Sequence, residues 1–293
     1  MSSGLSAEQI AAYRRDGYVS PIRVMPTADA AALRREMEAV ESRHGRLHYL
    51  DKPHMLLPFV DELVRHPTIL DYVQSLIGPD ILLWDCSFIV KEPGDAKRVS
   101  WHQDVTYWGL APVEGIVSIW LALSPATVES GCMRMIPGSH AGPVQPHRDT
   151  YAADNILSRG QELAVAIDEA SAVDIALAPG EMSLHHGMVF HASQPNRSGD
   201  RRIGFNAQYI APHVRQTIGR HDSAVLVRGR DGFGHFEDEP RPNGEFEPAA
   251  VAMREALSKR RAEYLYAATA AQSVSGPGPA AAPDRAAARP TGR

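Results

Sequence analysis

Residues 201–210 read RRIGFNAQYI, and their alternation decides the fold. Side chains along an extended strand point to opposite faces in turn, so Ile203, Phe205 and Tyr209 share one side while Arg202, Gly204, Asn206 and Gln208 share the other. A barrel whose outer face is covered by helices and whose lumen is polar produces this pattern. A strand facing bulk water gives the same alternation, so the neighbouring sequence has to decide between them. Working upstream from Ile210 to Ile81, the chain is a series of short β-rich runs broken by Gly, Pro, Asp and Asn: ILLWDCSFIVK (81–91), GIVSIWLAL (115–123), CMRMI (132–136), AVDIAL (172–177) and EMSLHHGMVFH (181–191). That spacing predicts an all-β sandwich or barrel.

The first third supplies the covering helices. Ser6 with Gln9 forms a capping-box pattern ahead of Ile10 and Tyr13, and Gly17 ends that helix. Thr27 is expected to cap a second helix, in which Leu33, Met37 and Val40 make the apolar stripe. Ile69, Leu70, Val73, Leu76 and Ile77 keep helical spacing up to Gly78-Pro79. Downstream of the β region, residues 219–248 read as a long loop, followed by a helix around 249–266. We therefore expect one domain over residues 1–268, mainly β, with N-terminal helices on one sheet and a C-terminal helix. An Ala/Pro-rich tail over residues 269–293 has almost nothing to bury and is expected to be disordered.

Composition excludes several classes of function. Of 293 residues, 44% are hydrophobic and 22% charged, which is enough apolar material for a sizeable core. Lys and Arg total 30 against 35 acids, a net charge of -5, and no basic block offers a nucleic acid its phosphate contacts. Only Cys86 and Cys132 occur, too few for a disulfide framework. The N-terminus lacks a signal-peptide core, so a cytoplasmic location is expected. No stretch approaches the roughly 20 apolar residues that a membrane crossing requires.

The chemistry centres on residues 100–104, SWHQD. In an extended backbone His102 and Asp104 project to the same side, offering an imidazole and a carboxylate to one point. His185, His186 or His191 from the later histidine-rich run can add a third ligand. Two His and one carboxylate on one face leave the remaining positions of an octahedral ion open, as non-haem Fe(II) oxygenases require. Zinc accepts the same ligand types, with a single open position. By itself His-x-Asp is more often an ordinary hydrogen-bonded pair, so an anion receptor for a chelating cosubstrate carries weight. Arg202 lies on the polar face of its strand, where its guanidinium can take a carboxylate through two parallel hydrogen bonds, while Arg201 should point outward. His186 is assigned to the pocket wall and His140 to a Pro-Gly turn. Trp101 and Trp108 suit the core better than the substrate, and Cys132 reads as a small buried hydrophobe.

WHQD (101–104), GCMRMIPGSH (131–140) and HASQPNRSGDRR (191–202), in this order, resemble the phytanoyl-CoA dioxygenase (PhyH) family of Fe(II)- and 2-oxoglutarate-dependent oxygenases, from about Gln9 to about Gln216. The resemblance implies a double-stranded β-helix, a cupin-like jelly roll. It implies that His102, Asp104 and His191 ligate Fe(II), and that Arg202 binds the distal carboxylate of 2-oxoglutarate. It further implies that Ser193 assists that carboxylate, that Trp120 lines the cosubstrate pocket, and that Lys91 contributes to it. His191 is preferred over His185 and His186 because it alone stands at the matching distance from Arg202. The implied activity is hydroxylation of an unactivated C–H bond of a small molecule, consuming O2 and 2-oxoglutarate and releasing succinate and CO2. Asp104 disfavours halogenation, because it occupies the position that chloride would need. A zinc-type hydrolase or a non-catalytic metal-binding jelly roll is the alternative use of the same triad. Segments 46–57, 105–112 and 219–248 are candidates for the pocket mouth. Only scattered Lys97, Arg98 and Arg215 are available to meet phosphates, which favours an amino-acid-like or natural-product substrate over an acyl-CoA.

Overall fold

The structure, a computed structural model, describes residues 4–157, 159–218 and 222–273, with side chains through Glu263. Five α-helices are α1 (Ala7–Asp16), α2 (Thr27–His44), α3 (Pro58–Val64), α4 (Pro67–Ile77) and α5 (Pro248–Ser273). The strands in chain order are β1 (Tyr18–Arg23), β2 (Ile81–Lys91), β3 (Val99–His102), β4 (Leu110–Ala111), β5 (Ile116–Ala122), β6 (Met133–Met135), β7 (His147–Asp149), β8 (Gln161–Leu163), β9 (Val173–Ile175), β10 (Glu181–His185), β11 (His191–Ser193), β12 (Arg202–Ile210), β13 (Arg215–Gln216), β14 (Ser223–Arg228) and β15 (Glu237–Asp238).

Two sheets form the jelly roll. The larger runs β1-β10-β5-β12-β2-β14-β15, and the smaller runs β3-β11-β6-β9. β12 lies between β5 and β2 and pairs antiparallel with both. Its two faces divide as the sequence predicts. Ile203, Phe205, Ala207 and Tyr209 join the main core with Phe88, Ile119 and Leu184, against Met37 and Val40 of α2, Val60 and Val64 of α3 and Ile69 and Val73 of α4. The opposite face turns toward the smaller sheet, where Trp120, Cys132, Met133, Met135, Ile175 and Val189 form a second apolar cluster. Helices, large sheet and small sheet are thus three layers, and the polar side chains of β12 lie in the inner gap.

Local chemistry sets several boundaries. The α1 capping box is present, with the Ser6 hydroxyl accepting from Gln9 N at 3.1 Å and Ser6 N donating to the Gln9 side chain at 2.9 Å. The helix closes at Gly17, whose φ of 84° is left-handed. Thr27 does not cap α2, because the helix begins one residue earlier than expected, with Pro26 in the capping position and Thr27 already helical. β1 is absent from the sequence-based reading because Pro21 interrupts its pattern. It is tolerated there since β1 is an edge strand whose pairing with β10 is irregular between Val19 and Ile22.

The histidine-rich run 181–191 is not one strand. It splits into β10 in the large sheet and β11 in the small one, with a turn between. Segment 219–248 is not all loop either, since its described part contains β14, paired with β2, and β15. Helix α5 reaches Ser273, past the expected domain boundary at 268, and the expected tail from residue 274 onward lies outside the described residues. Among the described residues no helix is long and apolar enough to cross a membrane.

Candidate metal and cosubstrate site

β3 ends at His102, and Asp104 opens a single 3-10 turn, so the two do not sit in one continuous strand as expected. The intervening Gln103 keeps extended angles, φ -115° and ψ 127°, which preserves the same-side projection. It is fully buried and locked at both ends of its amide. Its Nε2 donates to Met188 O at 2.9 Å and its Oε1 accepts from Gln145 N at 2.7 Å.

His191, the first residue of β11, is the direct cross-strand partner of His102, so pairing of two short strands brings the imidazoles together with ring centroids 4.0 Å apart. Their Nδ1 atoms donate to backbone carbonyls within their own segments, His102 to Ser100 O at 2.8 Å and His191 to Val189 O at 3.0 Å. Each ring therefore presents Nε2 with its lone pair inward. Those two Nε2 atoms lie 3.3 and 3.5 Å from Asp104 Oδ1. Neighbouring ligands on one octahedral ion at ordinary bond lengths sit about 3 Å apart, so the spacing fits a facial triad. Among the described residues this trio is the group that can hold a metal, with ligand atoms all within 4.8 Å of one another.

Burial pushes the His191 imidazole down to about 3, so it is neutral and available as a ligand at ordinary pH. Burial also works against the Asp104 charge, but the facing imidazoles of His191, His102 and His185 outweigh it and hold the carboxyl well below its usual range.

The other histidines separate cleanly. His185 borders the site, its ring 5.3 Å from His191 and its Nε2 3.8 Å from Asp104 Oδ2. His186 turns away toward Tyr13 and His140, and its Nδ1 accepts from Met188 N at 3.2 Å. His140 Nε2 meets Arg14 O at 3.2 Å across the 3-10 turn 139–141, as a structural residue.

A chamber of about 130 Å³ adjoins the triad and is lined by Trp120, Ser193, Arg202 and Asn206 as well as the three ligand candidates. Arg202 is 2% exposed, and its Nε and Nη2 are buried without a hydrogen-bond partner. Burial alone pushes its value down to about 10, so an entering carboxylate would restore what the guanidinium loses. Its Cζ lies 5.1 Å from the Trp120 ring centroid. Gly204 makes room for that indole, since a Cβ there would stand 1.9 Å from it. Arg201 turns outward to Glu38, Glu41 and Glu92 at 3.3, 2.9 and 3.1 Å, as its parity predicts.

Lys91 sits opposite Arg202 in the β2–β12 register but lies behind Ser193 rather than in the chamber. Its Nζ donates to Ser193 Oγ at 2.7 Å and to Gln194 O. Burial, reinforced by Arg202, pushes Lys91 down to about 6.

His185, weighed from the sequence as a ligand, lines the chamber beside the triad; sequence reasoning missed Tyr49 and Leu157 as chamber residues, with only the outline of segment 46–57 pointing to Tyr49. It also missed a second cavity of about 540 Å³ that shares Tyr49, Asp104 and Asn206 with the first. Tyr107 and Trp108 line it, as the mouth assignment of 105–112 anticipates, but the described part of 219–248 does not; α5 supplies that wall instead. Trp101 lines neither cavity and lies beneath Arg134, whose Cζ is 5.7 Å from the ring centroid.

The family model for phytanoyl-CoA dioxygenase (PhyH) matches residues 5–204. A probable alpha-ketoglutarate-dependent hypophosphite dioxygenase of Stutzerimonas stutzeri is 29% identical over 242 residues, covering 78% of this chain and 82% of that protein. Peroxisomal phytanoyl-CoA dioxygenase of Bos taurus is 27% identical over 233 residues, covering 70% and 68%. Among solved structures, the apo form of the non-heme monooxygenase ThoJ superposes with a TM-score of 0.79 at 35% identity, covering 90% of this chain and 99% of that one. CytC3 with Fe(II) and alpha-ketoglutarate gives a TM-score of 0.63 at 23% identity, covering 84% and 97%, a likeness of fold.

Proposed function

The chain belongs to the phytanoyl-CoA dioxygenase family, and on that premise we propose that it hydroxylates an unactivated C–H bond of a small molecule, releasing succinate and CO2. It is an Fe(II)- and 2-oxoglutarate-dependent oxygenase. We assign the metal to His102 Nε2, His191 Nε2 and Asp104 Oδ1, and the distal carboxylate of 2-oxoglutarate to Arg202. Residues 1–268 are taken as one catalytic domain. The unpartnered edge of the buried Arg202 guanidinium, facing the same chamber as the triad, carries this reading. A metal hydrolase has no use for such a receptor.

When bound, iron and 2-oxoglutarate supply the oxidising power for O2 activation. The protein's part is binding and placement. Ser100 and Val189 carbonyls hold the imidazoles in the tautomer that ligates. The Lys91 donor occupies a lone pair of Ser193 Oγ, leaving the hydroxyl proton free to turn toward a carboxylate beside Arg202. Trp120, Met133 and Val99 form an apolar part of the chamber wall.

Anaerobic addition of Fe(II) and 2-oxoglutarate should give a visible charge-transfer band, absent in His102→Ala. Arg202→Ala should weaken 2-oxoglutarate binding about a hundredfold, in keeping with the loss of a charge-assisted hydrogen-bond pair. Succinate release on admitting air then measures turnover. An intact protein that gives no band overturns the assignment.

A further inference from the structure

We propose that the second cavity selects an uncharged, oxygen-rich ring compound, gripped between the lumen face of the large sheet and α5. This rests on the oxygenase reading above, because the cavity opens onto Asp104. Its walls come from three places: Trp84, Ser87, Asn206 and Gln208 of the sheet, Tyr107 and Trp108 of the turn after Asp104, and Ser258, Arg261 and Ala262 of α5. At about 540 Å³ it suits a drug-sized molecule.

Charge decides the class of ligand. Asp51 is met by Arg254 and by the Ser258 hydroxyl. Asp85 pairs with Arg261 at 2.7 Å. Arg159 lies 3.5 Å from Asp149 and over the Tyr107 ring at 4.7 Å. Asp104 belongs to the triad. Each charged group that lines the cavity is therefore already matched, and an ionic ligand would leave water for a site with no counter-charge waiting. Polyphosphate carriers and free amino acids are both disfavoured on this ground.

Neutral polar groups remain. The amides of Asn206 and Gln208 and the hydroxyl of Ser87 make no side-chain hydrogen bond to another described residue, and Asn206 stands directly across from Ser87 in the β12–β2 register. They offer both donors and acceptors to hydroxyl and carbonyl groups. Trp84 and Trp108, with ring centroids 5.6 Å apart and tilted by 59°, add aromatic surface to the same wall. Asn206, Gln208 and all of α5 lie beyond residue 204, where the family match ends.

Isothermal titration calorimetry on metal-free protein tests the class independently of iron chemistry. The probes are naringenin and podophyllotoxin as neutral oxygenated rings, with palmitoyl-CoA and L-proline as charged ones. At least one neutral probe should bind saturably and the charged probes should not. Gln208→Leu should weaken that binding by about tenfold, the loss expected when a buried polar contact goes unmet. Ala262→Trp, which adds an indole to the α5 wall of the cavity, should abolish it. Tighter binding of either charged probe, or no binding of either neutral one, overturns the proposal. Loss of the charge-transfer band in intact protein would instead sink the oxygenase reading while leaving the calorimetry to stand.

Discussion

Gly204 and Trp120 compete for one volume in the gap between the sheets, and the absence of a side chain at 204 lets the indole lie flat beside Arg202. Gly204→Ala should therefore destabilise the fold by about 1–3 kcal/mol through overpacking, and should weaken 2-oxoglutarate binding as the indole is driven toward the guanidinium. Urea midpoints and ligand titration check the two effects separately. Lys91→Met keeps the buried stem but removes the donor to Ser193. Its 2-oxoglutarate affinity should fall by less than that of Arg202→Ala, about threefold to tenfold, because the donor lost lies behind the chamber, on Ser193 Oγ and Gln194 O, while the guanidinium stays in place. The opposite facings of Arg201 and Arg202 were legible in the sequence, since adjacent residues on a strand must face opposite ways. The place of Lys91 was not, because a hydrogen bond from behind the chamber leaves no periodic trace.

At the scale of elements, legibility followed regularity. β2 and β12 are long and β12 alternates, so the extents of both, and the faces of β12, could be read from residues 81–91 and 201–210. β1 carries a proline, β3 stops at His102, and β14 and β15 are short pieces in a Gly- and Pro-rich stretch. Tertiary pairing rather than local pattern creates them. One buried cluster fastens that stretch. Glu239 Oε1 meets Lys52 Nζ and accepts from Ser223 Oγ at 2.6 Å, and its Oε2 lies 2.6 Å from His54 Nε2.

Burial pushes the Glu239 carboxyl up, but Lys52 and His54 outweigh it and hold the group far below its ordinary range. A depressed carboxyl contributes stability that is complete above its unfolded value, about 4.3, and is lost as the pH falls below it. Denaturation at pH 7 and 3.5 should show that loss in intact protein and a smaller one in Glu239→Gln. Glu239→Ala, which strands the buried Lys52 charge, should cost about 3–5 kcal/mol at pH 7.

Across the whole molecule, the last helix ties distant parts of the chain together. Arg261 reaches Asp222 at 3.0 Å and Asp85 at 2.7 Å and packs 4.4 Å from the Trp84 ring centroid, while Arg254 holds Asp51. Arg261→Ala should lower stability by about 3 kcal/mol, since two largely buried acids lose their partner, and a thermal melt reads the change. Nothing in residues 249–266 foretold this position, because a helix declares its apolar stripe but not which cavity its ends will roof. The inner chamber draws only on residues between Tyr49 and Asn206, whereas the outer wall waits for Ser258, Arg261 and Ala262. On a growing chain the residues of the proposed cosubstrate chamber therefore emerge before those of the outer wall. A chain cut near residue 247 would keep every residue that lines the inner chamber and lose the α5 side of the outer cavity.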